Sequence, residues 1–233
     1  MLTVTYSARS HAGNAKGNNG DNLYCDGASI TPGNSGKPFG VAGLVRAPCL
    51  FAVCGGMEWQ KDMEAASMTA VSMLSRYSRA ILTASPGDID AVVGEYVACV
   101  NASLCGKARA ATGGGAGTAL ALAAVAKSSI RAYAMGGSRI YLMKSGRLRQ
   151  VTKDRAAAER INIVPAITVS DKCRLLICSD GLTDMVGDGQ IRVILQEGGD
   201  VANAGKSLVE AALANGGGDD VTCVVLDIAS DKY

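Results

Sequence analysis

Four short acidic turns carry the residues of this chain best suited to chemistry: Asn19-Gly20-Asp21-Asn22, Ser179-Asp180-Gly181, Gly218-Asp219-Asp220 and, more weakly, Lys153-Asp154. Asp beside Gly or Asn is also what an ordinary turn uses. Two of the four differ in the company they keep. Asp180 ends the apolar run Leu175-Leu176-Ile177-Cys178, and Asp219-Asp220 leads directly into the apolar run 221–228. Carboxylates at the ends of buried strands can converge at one edge of a sheet. Converging carboxylates, without histidines or paired cysteines, suit a hard cation such as Mg²⁺ or Mn²⁺. The other donors argue the same way. His11 is the sole histidine, and none of the eight cysteines forms a C-x-x-C pair. Most cysteines lie inside apolar runs and read as reduced, buried small hydrophobes. The glycine-rich 112–118 lacks the lysine of a phosphate-binding loop, which leaves a nucleotide-binding reading without support.

The elements that must position these acids are legible from periodicity. Leu2, Val4 and Tyr6 alternate with polar residues as on a half-buried strand, and 50–54 is a short continuous apolar run. Strands are also expected over 117–126, 130–135, 139–144, 147–151, 173–178 and 221–228, with Gly146 in a tight turn. Apolar residues recurring every three or four positions predict helices over 63–82 and 88–104, the second capped by Asp88. A third amphipathic segment follows Asp200, with Val201, Ala204, Leu208 and Ala212 on one side. Strands segregated from helices indicate an α+β layered domain rather than βαβ alternation. A single domain over 1–233 is expected.

Composition narrows the function classes. Net charge is +2, so neither nucleic acid nor an anionic membrane is an expected partner. No apolar run approaches the roughly 20 residues that span a bilayer. The start, Met1-Leu2-Thr3-Val4, lacks the plan of a signal peptide, and a cytoplasmic monomer is expected.

The run LLICSDGLTDMV, 175–186, resembles the motif of the type 2C, metal-dependent protein phosphatases, in which a hydrophobic strand ends in Ser-Asp-Gly-Leu. Further blocks are similar to that family and occur in its order. KGNNGDN, 16–22, resembles the opening Arg-x-x-Asn-Glu-Asp-Asn, and LFAVCGGM, 50–57, a strand ending in Asp-Gly-Met or Asp-Gly-His. GTALALAAV, 117–125, is similar to the Gly-Thr-Thr strand, 134–155 to the Gly-Asp-Ser-Arg hairpin, and GGGDDVTCVVL, 216–226, to the closing strand. The resemblance implies a four-layer αββα sandwich of two mainly antiparallel sheets flanked by helices. It also implies a two-ion Mg²⁺ or Mn²⁺ centre that hydrolyses phosphoserine or phosphothreonine in a protein, such as a kinase substrate. By matching position, Asp180 and Asp219 would ligate one metal, Asp21 would act nearby and partly through water, and the Gly56 carbonyl would serve the second metal. Lys16 would contact the substrate phosphate.

The chain departs from the family pattern where charge matters. Gly55 stands where an Asp bridges both metals. Gly20 and Gly137 replace further acids, Asp220 replaces Asn, Arg155 replaces His, and Lys16 replaces Arg. A lysine offers a point charge in place of bidentate phosphate recognition. Glu58 and Asp62 follow Gly55 but sit at a helix start, unsuited to restoring a strand-end ligand. One introduced change would account for Gly55 but not for Gly20 and Gly137 as well. The stretch 156–171 is short where many bacterial relatives place a mobile flap. The expectation is at most one well-bound ion and weak or absent catalysis. The alternative is a non-catalytic pseudophosphatase that binds a phosphoprotein or another signalling partner.

Overall fold

The computed structural model describes residues 1–14, 17–31, 37–56, 63–111, 117–154 and 161–230, with backbone alone for Met63 and for 106–111. Its strands are β1 Leu2–His11, β2 Asn22–Cys25, β3 Ala28–Ser29, β4 Phe39–Arg46, β5 Cys49–Gly56, β6 Thr118–Val125, β7 Ser129–Met135, β8 Arg139–Lys144, β9 Arg147–Gln150, β10 Asn162–Thr168, β11 Cys173–Cys178 and β12 Val221–Ser230. The helices are α1 Met63–Thr83, α2 Ile89–Ala111, α3 Asp180–Thr183, α4 Asp188–Glu197 and α5 Val201–Ala214.

The strands form two six-stranded sheets, in the orders β4-β1-β12-β11-β8-β9 and β10-β7-β6-β5-β2-β3. Every strand pairing is antiparallel. Side-chain alternation along each strand builds three apolar layers. In β5, Cys49, Phe51 and Val53 face the opposite sheet, while Leu50, Ala52 and Cys54 face helices α1 and α2. In β12, Val224, Leu226 and Ile228 enter the layer between the sheets, and Val221, Cys223 and Val225 face α4 and α5. The architecture is the αββα sandwich expected from the sequence, and α1, α2 and α5 fall where their periodicity placed them.

The helices are held by their apolar stripes and a few polar ties. Ala66, Ala70, Leu74 and Ile81 of α1 pack with Val93, Tyr96, Val100 and Leu104 of α2 against the outer face of one sheet. The Tyr96 hydroxyl donates to the Ala70 carbonyl at 3.1 Å, which satisfies a phenol that is otherwise fully buried. Asp90 in the first turn of α2 accepts from the Tyr133 hydroxyl at 2.7 Å and pairs with Arg131 at 3.3 Å, fastening that helix end to β7. The expected cap at Asp88 takes another form: the Asp88 carboxylate accepts from the Ser85 hydroxyl, and the Ser85 carbonyl accepts from the Asp88 and Ile89 N–H groups. At α5, Asp200 is the cap, accepting from the Asn203 N–H at 2.8 Å. None of the eight cysteines is in a disulfide; six are buried, Cys99 is half-buried and Cys105 is exposed. No helix among the described residues is long and apolar enough to cross a membrane.

Leu74 is fully buried between α1, α2 and the sheet. Truncating it removes buried methyl groups and leaves a cavity. Leu74→Ala is expected to lower unfolding stability by about 3 kcal/mol in denaturant titration. A loss under about 1 kcal/mol would mean that the helix pair collapses around the site or does not pack as described.

Candidate metal centre

One end of the sandwich collects the start of β2, the ends of β5 and β11, and the starts of β6, β8 and β12. Asp21, Gly55, Ser138, Asp180, Asp219 and Asp220 all lie at or next to these strand ends. The turn carrying Asp21 is fixed by buried hydrogen bonds. The Asn19 carbonyl oxygen Oδ1 accepts from the Asp21 N–H at 2.9 Å, and Asn19 Nδ2 donates to Ser10 Oγ at 2.7 Å. Ser10 Oγ in turn shares a 2.6 Å hydrogen bond with Thr222 Oγ1, so the turn is tied to β1 and β12 together. The Gly20 N–H donates to Asp220 Oδ2 at 2.8 Å. Asn22 closes the other side by accepting from the Leu23 and Ile30 N–H groups at 2.8 and 3.1 Å.

The opposite wall is equally determined. Ser179 Oγ accepts from the Thr222 N–H at 3.0 Å, and Asp219 Oδ1 accepts from the Asp220 N–H at 2.7 Å. Gly181 lies so close to the Asp220 carbonyl that any side chain would collide with backbone. The Gly in Ser-Asp-Gly therefore has a steric reason. Thr118 Oγ1 donates to the Gly55 carbonyl at 2.8 Å, anchoring the end of β5. A Cβ at Gly55 would stand 3.3 Å from Asp21 Oδ1, 3.5 Å from the Ala119 Cβ and 3.9 Å from Ser138 Oγ. A Cβ at Gly137 would stand 2.5 Å from Asp180 Oδ2, so the Asp180 carboxylate fills the space that a side chain at 137 would need.

The electrostatics follow from crowding acids out of water. Burial raises the Asp21 carboxyl well above the ordinary range; Asp220 and Asp180 push it further the same way, against the hydroxyls of Ser179 and Thr222. Burial also raises Asp180, with Asp219 and then Asp184 adding to the shift. Asp21 Oδ2 and Ser138 Oγ are buried and have no hydrogen-bond partner among the described residues.

The three acids expected at the site, Asp21, Asp180 and Asp219, thus lie at one end of the fold, and Gly55 faces Asp21. Gly56 ends β5 opposite Thr118. Lys16, Glu58, Asp62 and Arg155 lie outside the described residues, as does most of the glycine-rich 112–118. Asp154 serves another purpose: it pairs with Arg139, Nη2 to Oδ2 at 2.8 Å, and braces the β8–β9 hairpin. Two residues escaped the sequence reading. Asp184, one helical turn beyond Asp180, adds charge to the site, and the spacing of four in Ser-Asp-Gly-Leu-Thr-Asp was the available signal. Ser138 is hidden in sequence because only its buried, unpartnered hydroxyl marks it.

The donors match a hard cation in kind. Among the described residues, no three carboxylate, imidazole or thiol side chains converge closely enough to hold one ion. The acids are near enough to perturb one another's titration.

A buried acid with a raised pKa favours the folded state when protonated. Its contribution is fully present below the unfolded value near 4 and is lost as pH rises through the folded value. Asp21→Asn removes that titration. In the absence of added metal, its melting temperature relative to the parent is expected to climb as pH rises from about 4 towards neutrality. A difference that stays flat over that range would show that Asp21 is not held in a raised state.

No protein-family model matches the chain. Whole-chain comparisons do find relatives. The chain is 27% identical over 263 aligned residues to the serine/threonine protein phosphatase PstP of Mycobacterium tuberculosis, covering 100% of this chain and 46% of that protein. It therefore spans less than half the length of that relative. It is also 27% identical over 210 residues to the serine/threonine phosphatase stp of Listeria welshimeri, covering 75% of this chain and 82% of that one. Among solved structures, the catalytic domain of PstP in complex with two manganese ions superposes with a TM-score of 0.78 at 26% identity, covering 99% of this chain and 100% of that one. The antiparallel double sheet, the acids gathered at one of its ends and these relatives agree: the chain is a homologue of the bacterial type 2C protein serine/threonine phosphatases and carries their fold.

Proposed function

We propose that this chain is a type 2C phosphatase by descent whose hydrolysis of phosphoserine or phosphothreonine in proteins is weak or absent. The observation that carries the proposal is Gly55. It occupies a strand end facing the buried Asp21 carboxyl, at the position where the family resemblance calls for an acid joining two metals. A divalent ion pair in such a centre would supply charge neutralisation for the phosphoryl group and acidify a water. What this chain offers is less. Asp180 and Asp219 are the residues best suited to one Mg²⁺ or Mn²⁺ ion, with Asp21 acting nearby through water and the Gly56 carbonyl as a weak neutral donor. Lys16 is the candidate phosphate contact.

The second reading is a cytoplasmic pseudophosphatase that keeps the phosphoprotein-binding surface and has given up turnover. It is favoured by the same residue together with Gly137, because a site with neither acid retains shape and loses charge. Both readings treat a phosphorylated protein, for example a substrate of a cognate kinase, as the partner.

Gly55→Asp separates them. The Cβ has room after a shift of a few tenths of an ångström in the Asp21 side chain. The substitution is expected to raise Mn²⁺-dependent hydrolysis of a phosphothreonine peptide by about 10- to 100-fold, or roughly 1.4–2.8 kcal/mol of transition-state stabilisation. Calorimetric Mn²⁺ titration should show an added binding event. Parent activity at ordinary enzyme rates of about 1–10³ s⁻¹, with no gain from Gly55→Asp, would overturn the proposal. Two-metal binding by Gly55→Asp without turnover would favour the pseudophosphatase.

A further inference from the structure

Asp219 is reached through a stretch with little stiffness of its own. Between the end of α5 and Asp219 lie Asn215 and then Gly216-Gly217-Gly218, with Gly216 and Gly217 at φ +124° and +55°. Glycine gives up more backbone freedom on folding than any other residue. Contacts from outside the stretch must therefore hold it, and with it the acid at its end. Asn215 supplies one, donating from Nδ2 to the Met185 carbonyl at 2.8 Å.

Three more come from a single residue just beyond β1. The Asn14 N–H donates to the Gly217 carbonyl at 2.7 Å. Asn14 Nδ2 donates to the Leu213 carbonyl at 2.9 Å and to the Gly216 carbonyl at 3.0 Å. The approach is close. A side chain at Gly13, where φ is +66°, would collide with the Asp219 carbonyl, and a Cβ at Gly217 would stand 2.8 Å from Asn14 Nδ2. The segment 13–14 thus lies directly across the turn that leads to Asp219.

We propose that Asn14 is a positioning residue for the metal centre: it holds the glycine turn in the shape that carries the Asp219 carboxylate to the site, and so sets the affinity of the site for a divalent ion. The inference rests on the reading of Asp219 as an ion ligand given above. Groups that fix a ligand from outside the coordination sphere act on metal affinity in this way. Asn14 is exposed, so its hydrogen bonds compete with water and add little to the stability of the whole fold. Their effect is local to the turn.

Asn14→Ala removes the two side-chain bonds and keeps the backbone one. Introduced into the parent and into Gly55→Asp, it is expected to weaken Mn²⁺ binding by about tenfold in calorimetric titration. Without metal, exchange of the Asp220 amide, which donates to Asp219 Oδ1, should quicken by about tenfold. Asn14→Ser keeps one donor and should fall between. Asp200→Ala removes the cap at the far end of the same helix. It should lower the melting temperature more than Asn14→Ala does and leave Mn²⁺ affinity and Asp220 exchange at parent values. A parent that takes no Mn²⁺ would refute the single-ion reading, and the Gly55→Asp background would then decide the role of Asn14 by itself. Parent-like affinity in Asn14→Ala, faster exchange without weaker binding, equal losses in Asp200→Ala, or no Mn²⁺ binding in either background would each overturn the proposal.

Discussion

Val53 and Val224 belong to the apolar layer buried between the two sheets, and Gly55 and Thr222 lie two residues further along the same strands. That layer sets the register of both sheets, because a slip of one residue would turn every inward side chain outward. The register in turn decides what reaches the open end of the sandwich. Once Val53 is committed to the interior, residue 55 must point into the space beside Asp21. Once Val224 is committed, Thr222 must stand beside Ser10 and Ser179. The site is thus a consequence of packing in the middle of the fold. This is why residues far apart in the chain meet without any local sequence signal joining them.

The acids at that end sit in a medium that penalises charge. Asp21 and Asp180 are both raised first by burial and then by other carboxylates. Such a group of acids needs a cation, protons or fewer members. This chain has fewer members at Gly20, Gly55 and Gly137, where the related phosphatases are expected to be acidic. A glycine at each of these positions adds no like charge to a crowded, poorly solvated place. On the function proposed above, reduced catalytic charge and reduced internal repulsion would arise from the same residues, an opposition between stability and activity.

Much of this architecture was legible beforehand because its strands are long apolar runs and its helices have regular stripes. β11 and β12 could be read directly, and with them Asp180 and Asp219 at their ends. Other elements were not readable for physical reasons. β4 is interrupted by Gly40 and Gly43, and its half-exposed residues give no strong alternation of polar and apolar types. β10 contains Pro165, which speaks against a strand and is tolerated only because β10 lies at an edge. β2 has four residues, held as much by Asn22 as by its ladder. Within the site, Asp154 looked like a fourth strand-end acid. Only the fold shows it committed to Arg139.

The two glycines that face acids across the site are not equivalent. At Gly55 the space beyond the backbone is open apart from the tip of Asp21, and a side chain there asks little of its neighbours. At Gly137 the space is taken, because the Asp180 carboxylate rests where a Cβ would go. An acid at 137 requires Asp180 to rotate away first. The charges of Asp219 and Asp184 already oppose that of Asp180. With a cation between them the same motion becomes favourable, since an opposite charge among the carboxylates reverses the sign of their interaction. The two positions are therefore coupled through Asp180. An acid at 55 makes a cation easier to hold, and a held cation is what makes room for an acid at 137. Gly137 depends on Gly55 more than Gly55 depends on Gly137, which makes residue 55 the point from which the charge of this site is controlled.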